Sequence, residues 1–161
     1  MAEGLFRLGL HRRRCPEVAV ASSGTWAYAG SSATPEAAKV VAERGADISL
    51  HRSRPSTKEE VEAADVVIVM TSVHKKEILD VAPAARDKIF LIKELAEIQP
   101  RPKLGGGLAE LWKGQRPSWR RDLDLDDPIG LPLSAYKRCA RLIHEGTELL
   151  ANVLCGPPPP P

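Results

Sequence analysis

Five consecutive apolar residues, Val66-Val67-Ile68-Val69-Met70, constrain this chain more than any other stretch. β-branched side chains favour extended backbone. An apolar run without polar alternation predicts a strand covered on both faces, as in a parallel sheet. Lys88-Ile89-Phe90-Leu91-Ile92 is a second such run, and the spacing predicts a helix from about Ser72 to Val81 between the two. That order suits parallel strands, which need a crossover connection. Glu17-Val18-Ala19-Val20-Ala21 alternates and predicts a third, shorter strand, ended by the turn residues Ser22-Ser23-Gly24-Thr25.

Helices are marked by their ends. Met1 to about Arg12 predicts a helix with Leu5, Leu8 and Phe6 toward one face. Thr34 is a good N-cap, Pro35 takes the favoured first helical position, and Gly45 suits the position just past the end. Asp47 to Leu50 predicts a short edge-like extension, followed by the basic turn His51-Arg52-Ser53-Arg54-Pro55. Thr57, with Glu60 three residues on, gives a capping box for a brief helix through Ala64. Leu133 to Leu154 predicts a long amphipathic helix, with Tyr136, Cys139 or Ala140, Ile143, Leu149 or Leu150 and Val153 on its buried stripe. Strands alternating with helices predict an α/β doubly wound parallel sheet. In such folds the first strand is usually central and the ligand loop joins it to the first helix. Here the chain opens on a helix.

Length and charge narrow the function classes. At 161 residues the chain suits one domain over residues 1–154, with a proline-rich tail over 155–161 ending in five prolines. Net charge is +2, from 23 basic and 21 acidic residues, so no strong field points to nucleic acid or to a membrane surface. Residues from about 97 to 121 carry Pro100, Pro102, Gly105 to Gly107 and Pro117, and predict a long surface insertion with one helical turn at Leu108 to Trp112. Cys15, Cys139 and Cys155 lack Cys-x-x-Cys spacing and predict neither a disulfide framework nor a metal site, so reduced thiols and a cytoplasmic setting are expected.

The chemistry points to Asp126-Asp127-Pro128-Ile129-Gly130. Pro128 fixes its own φ and pushes Asp127 out of helical geometry, and Gly130 allows a sharp reversal. A carboxylate at the tip of a stiffened loop is placed to donate or accept a proton, although an acidic turn ahead of a helix needs no such role.

These features together resemble the low-molecular-weight protein-tyrosine phosphatases, in the bacterial type that includes protein-arginine phosphatases. The resemblance rests on Met1-Ala2-Glu3 leading an apolar helix, Ser22-Ser23-Gly24-Thr25, Pro35-Glu36-Ala37, His51-Arg52-Ser53-Arg54, Ala64 to Thr71, His74, Asp127-Pro128 and the helix from Tyr136 onward. It implies the family's flavodoxin-like sheet order and hydrolysis of phosphotyrosine or phosphoarginine on proteins, through a phosphocysteine, without a cofactor. It implies that Asp127 is the general acid and base, with a pKa raised by apolar neighbours and by Asp126. It implies that Trp26, Tyr28 and Ile129 line the substrate slot, Ile129 standing where relatives often carry an aromatic residue. Ser22 matches a position that braces the phosphate loop. His51 and His74 are expected to be structural.

The resemblance starts just after the family's Cys-x5-Arg phosphate loop. Cys15, Cys139 and Cys155 each lack an arginine six residues on, so none substitutes for the nucleophile. The 161-residue polypeptide is therefore expected to be inactive by itself, with Met1 a mis-chosen start and a strand and loop ahead of it. The alternatives are a non-catalytic pseudophosphatase or binding protein completed by a partner's strand, and an arsenate reductase on the same fold. For the last, Cys139 and Cys155 are poorly placed to form a thiol relay.

Overall fold

A computed structural model describes residues 1–96 and 121–160. The elements in chain order are helices α1 (Ala2–Arg12), α2 (Pro35–Ala42) and α3 (Lys58–Ala63), strand β1 (Val67–Val69), helix α4 (Ser72–Val81), strand β2 (Ile89–Leu91) and helix α5 (Leu133–Cys155). Short 3₁₀ turns occupy Pro83–Lys88, Lys93–Ala96 and Arg121–Leu123. The chain divides into two units, Met1–Pro55 with Asp127–Pro161, and Ser56–Asp126. The predicted insertion lies almost wholly outside the described residues, as does its helical turn.

In the first unit α1 and α2 both pack on α5. Thr34 caps α2 by accepting a bond from the Ala37 N–H at 3.2 Å, and Pro35 opens the helix. Gly45, at φ +89°, closes it: the Ala46 N–H returns to the Val41 carbonyl at 3.2 Å, and the Gly45 N–H to Ala42 at 2.9 Å. This is a Schellman motif. α1 ends the same way, with the Cys15 N–H on Leu10 and the Arg14 N–H on His11, but Arg14 holds the left-handed position at φ 55°. A side chain there costs about 1 kcal/mol. Arg14→Gly is therefore expected to raise stability by about 0.5–1 kcal/mol, read as a higher urea midpoint at unchanged slope.

The buried stripe of α5 is Ala135, Tyr136, Cys139, Ala140, Ile143, Leu150 and Ala151. Leu149 is exposed, so Leu150 is the member of that pair that packs. Gly4 lets α1 approach the loop after α2, because a Cβ there would run into Cγ2 of Ile48. Where α1 and α5 end, Arg13 is buried and fully engaged. Its Nη1 donates to the Gly9 carbonyl at 2.9 Å, and its Nε to Asn152 Oδ1 at 3.2 Å and the Gly156 carbonyl at 3.0 Å. Nη2 donates to Glu148 Oε2 at 2.9 Å and to Asn152 Oδ1.

In the second unit β1 and β2 pair in parallel, with Val67 opposite Ile89 and Val69 opposite Leu91. The Ile92 N–H extends the ladder to the Val69 carbonyl at 2.9 Å. Val61, Val69, Ile78, Leu79, Ala82, Ala85, Ile89, Leu91 and Leu123 form the core. Thr71 caps α4 through the His74 N–H, and Asp124 braces the same end by accepting from the Ser72 N–H at 2.6 Å and its hydroxyl at 3.0 Å. A carboxylate at a helix N-terminus gains from both the free N–H groups and the dipole. Asp124→Ala is expected to cost about 1–2 kcal/mol, with loss of amide-exchange protection concentrated in the first turn of α4.

Several expectations need correction. Glu17–Ala21 is irregular rather than a strand: Val18 and Val20 pack on Leu10, Cys15 and Ala151, and the Val20 carbonyl accepts from the Arg7 side chain instead of a ladder partner. Asp47–Leu50 is a turn, closed by Asp47 Oδ1 on the Ser49 N–H at 2.8 Å. The parallel sheet among the described residues thus has two strands, β1 and β2. β2 is wholly buried, but Val67 and Ile68 of β1 are only half-buried, since among the described residues β1 pairs along one edge. Cys15 and Cys155 are joined in a disulfide, against the expectation of three reduced thiols, and Cys155 closes α5 rather than starting the tail. Their Cα atoms lie 6.0 Å apart although 140 positions separate them in sequence, a proximity created by packing of α1 on α5. Among the described residues no helix is long and apolar enough to cross a membrane.

Candidate active site

The Asp127 loop is built by its own backbone. Asp127 Oδ1 accepts the Ile129 N–H at 2.9 Å, and the Leu131 N–H closes on the Pro128 carbonyl at 2.9 Å. Pro128 is buried and Gly130 takes φ +75°, so the turn is anchored on one side and reverses on the other. An Asx turn of this kind orients the carboxylate and leaves Oδ2 free of that bond. The apolar surround expected for Asp127 is not present. Asp126, Asp127 and Ile129 are all exposed, because the turn presents them outward while Pro128 packs inward.

Behind this turn lies Cys139, the free buried thiol on α5. Burial pushes its pKa up, and the Asp127 charge adds to that rise. Cys139 and Asp127 therefore share one neighbourhood. Cys139 is held in the protonated thiol form, the opposite of what a nucleophile needs.

Glu3, in the first turn of α1, organises the adjacent wall. It accepts from the Ser22 hydroxyl at 2.6 Å and from Arg7 Nε at 3.0 Å, and lies 3.7 Å from His51 Nδ1. Glu3, Arg7, Ala21, Ser22, Leu50, His51, Arg52 and Arg54 line a cavity of about 310 Å³. Burial alone would raise the Glu3 carboxyl, but the bonds from Ser22 and Arg7 and the charges of Arg7 and His51 outweigh it and hold it below its ordinary value. A carboxyl depressed in the folded state adds stability above its unfolded pKa of about 4.3, and that stability is lost as pH falls through the folded value. Urea titrations from about pH 6 to pH 3 are expected to show a smaller loss of stability for Glu3→Gln than for the wild type.

Trp26 and Tyr28 stand on a loop stitched to the basic turn. Gly24 bridges Pro55 in parallel, its N–H on the Arg54 carbonyl at 3.0 Å. The Gly30 N–H reaches Ser53 at 2.8 Å, the Ser53 N–H reaches Ser31 at 2.9 Å, and the Ser53 hydroxyl donates to the Tyr28 carbonyl. Both aromatic side chains are more than four-fifths exposed. His51 is a wall residue of the Glu3 cluster, and His74 lies within the capped start of α4. Sequence reasoning named Glu3 only as part of a motif and missed its central place. The signal was the coincidence of one acid in α1 with the basic run His51 to Arg54.

Comparisons with known proteins bear on the fold and the family. A solved low molecular weight protein tyrosine phosphatase from T. tengcongensis is 29% identical and superposes with a TM-score of 0.71 over 92% of this chain and 86% of its own. A YwlE arginine phosphatase from Geobacillus stearothermophilus, 28% identical, superposes with a TM-score of 0.71 over 95% of this chain and 82% of its own. These define an α/β fold of the small phosphatase type. The profile of the family described as low molecular weight phosphotyrosine protein phosphatase matches residues 1–104, and the chain belongs to that family. Among curated relatives, a protein-arginine-phosphatase of G. stearothermophilus is 31% identical over 90% of this chain and 82% of the relative. A probable low molecular weight protein-tyrosine-phosphatase of Ralstonia nicotianae is 29% identical over 92% and 81%.

Proposed function

We propose that these 161 residues form the acid–base and substrate-recognition part of a phosphatase acting on phosphorylated proteins, with phosphotyrosine or phosphoarginine as the substrate group. One observation carries the reading: a carboxylate oriented by its own Asx turn, anchored by a buried proline and open to solvent. In the proposed reaction a cysteine thiolate attacks phosphorus while Asp127, protonated, gives its proton to the departing oxygen. As carboxylate it then takes a proton from the water that hydrolyses the phosphocysteine. Trp26 and Tyr28, on the loop that Ser53 bonds at Tyr28, Gly30 and Ser31, and Ile129 beside the acid, offer apolar surface to the side chain that bears the phosphate. No metal or other cofactor is needed.

The thiolate does not come from Cys15, Cys139 or Cys155. Cys15 and Cys155 are bonded to each other, and burial and the Asp127 charge hold Cys139 as a thiol. The polypeptide Met1 to Pro161 by itself is thus expected to show no turnover, and the reaction requires a Cys-x5-Arg loop supplied to it. Assays of aryl phosphate hydrolysis test this. Turnover by the 161-residue polypeptide, whether or not Asp127→Ala abolishes it, would contradict the expectation.

A further inference from the structure

The disulfide has a third participant. Glu17 Oε1 lies 3.1 Å from Cys15 Sγ, and the ligand atoms of Cys15, Glu17 and Cys155 all fall within 4.8 Å of one another. A disulfide sulfur carries no proton to donate, so in the oxidised protein this carboxylate gains no hydrogen bond from Cys15. In the reduced protein it faces two thiols. From this geometry we infer that the reduced Cys15–Cys155 pair, with Glu17, is a binding site for a borderline-soft divalent cation of the zinc type, and that oxidation to the disulfide expels the ion. The inference does not depend on the phosphatase reading.

The chemistry of the donor set favours such an ion. Two thiolates and one carboxylate suit tetrahedral zinc, with sulfur at about 2.3 Å, oxygen at about 2.0–2.2 Å and water in the fourth position. Two sulfurs on one tetrahedral ion sit roughly 3.7 Å apart at those bond lengths. The Cα separation of 6.0 Å accommodates this by rotation of the two side chains about Cα–Cβ. The two sulfurs are fixed by different parts of the chain. Cys15 is buried just past the Schellman turn of α1, and Cys155 is the last residue of α5. Arg13 does not oppose the ion with an unpaired charge, because its guanidinium is paired with Glu148 and bonded to Asn152 and two carbonyls. Zinc displaces two thiol protons to solvent, leaving two thiolates and the Glu17 carboxylate around the dication, with one negative charge in excess. Hydrogen peroxide, the class of oxidant that reverses this, takes two electrons from the thiolates and two protons from solvent. It becomes two waters, the S–S bond forms, and zinc leaves.

The site joins the ends of α1 and α5 in either state, by a covalent bond when oxidised and through the ion when reduced. The test uses the whole chain, reduced with a water-soluble phosphine that is then removed anaerobically, and titrated with zinc in competition with a chromophoric chelator. The reduced protein is expected to take one zinc per chain and the oxidised protein none. Hydrogen peroxide is expected to release the bound ion in step with loss of titratable thiols. Cys15→Ser and Cys155→Ser are each expected to abolish binding. Exposed Glu17 is the control for folding: Glu17→Gln is expected to keep the disulfide and the circular dichroism spectrum of the wild type while weakening zinc about tenfold or more. No uptake by the reduced wild type, equal uptake by the oxidised form, or unchanged affinity in Glu17→Gln would each overturn the assignment.

Discussion

In a chain supplied with a Cys-x5-Arg loop ahead of Met1, Asp127→Ala is expected to lower kcat for an aryl phosphate by about 10²–10⁴-fold, the range general acid–base groups contribute. Asp127→Asn is expected to do the same. The amide keeps an oxygen for the Ile129 N–H and so preserves the turn, but it cannot pass a proton. That equality separates proton transfer from a structural role, in which the isosteric variant would be close to wild type. The loss should also depend on the leaving group. A phenol acidic enough to depart as an anion needs little help, so the deficit is expected to shrink as the phenol becomes more acidic. Measuring kcat for a series of substituted phenyl phosphates with the three proteins checks this directly. A deficit independent of the leaving group would indicate that Asp127 positions substrate instead.

The second large effect is on stability. Arg13→Leu is expected to cost about 3 kcal/mol, the low end of the range for breaking a buried ion pair. The guanidinium is 1% exposed and bonds the Gly9 and Gly156 carbonyls, Asn152 and Glu148. Leucine leaves those acceptors without their donor. The cost stays near the low end because the Glu148 side chain is 28% exposed and recovers part of its hydration from water. Arg13→Lys is expected to recover little. One ammonium restores the charge but not the planar fork that reaches the ends of α1 and α5 together. Urea unfolding of the three proteins, with the disulfide intact in each, measures both differences. A cost below about 1 kcal/mol would show that the cluster is a surface contact rather than a clasp.

How far the sequence revealed this structure depends on how local each signal was. Thr34-Pro35, Thr57, the segment Ser72 to Val81 and the long stripe from Leu133 were legible because caps and helical periodicity act within a few residues. The structure places helices there with the caps expected of Thr34 and Thr57. Glu17–Ala21 was misread because alternation shows which side chains turn inward but not whether a neighbour offers its carbonyls. Val18 and Val20 do turn inward, without a ladder. The Cys15–Cys155 bond had no sequence signature, since the pairing exists only because α1 lies against α5. At the site, the Asp-Pro turn was legible from the φ limits of proline and glycine. Its exposure was not, because that depends on which face of the turn Pro128 buries. The Glu3 cluster gathers residues from α1, the Ser22 turn and the basic turn, and only the folded chain shows them together.

We propose that Asp127 is the acid and base of a phosphatase whose nucleophile lies on a Cys-x5-Arg loop. The most direct measurement is aryl phosphate hydrolysis by two polypeptides, Met1 to Pro161 alone and the same residues preceded by a strand and a Cys-x5-Arg loop. Circular dichroism would be checked to show that both are folded. No turnover is expected from the first, and turnover by the second is expected to fall by about 10² or more with Asp127→Ala. Turnover by the first polypeptide, or turnover by the second that is indifferent to Asp127, would contradict it.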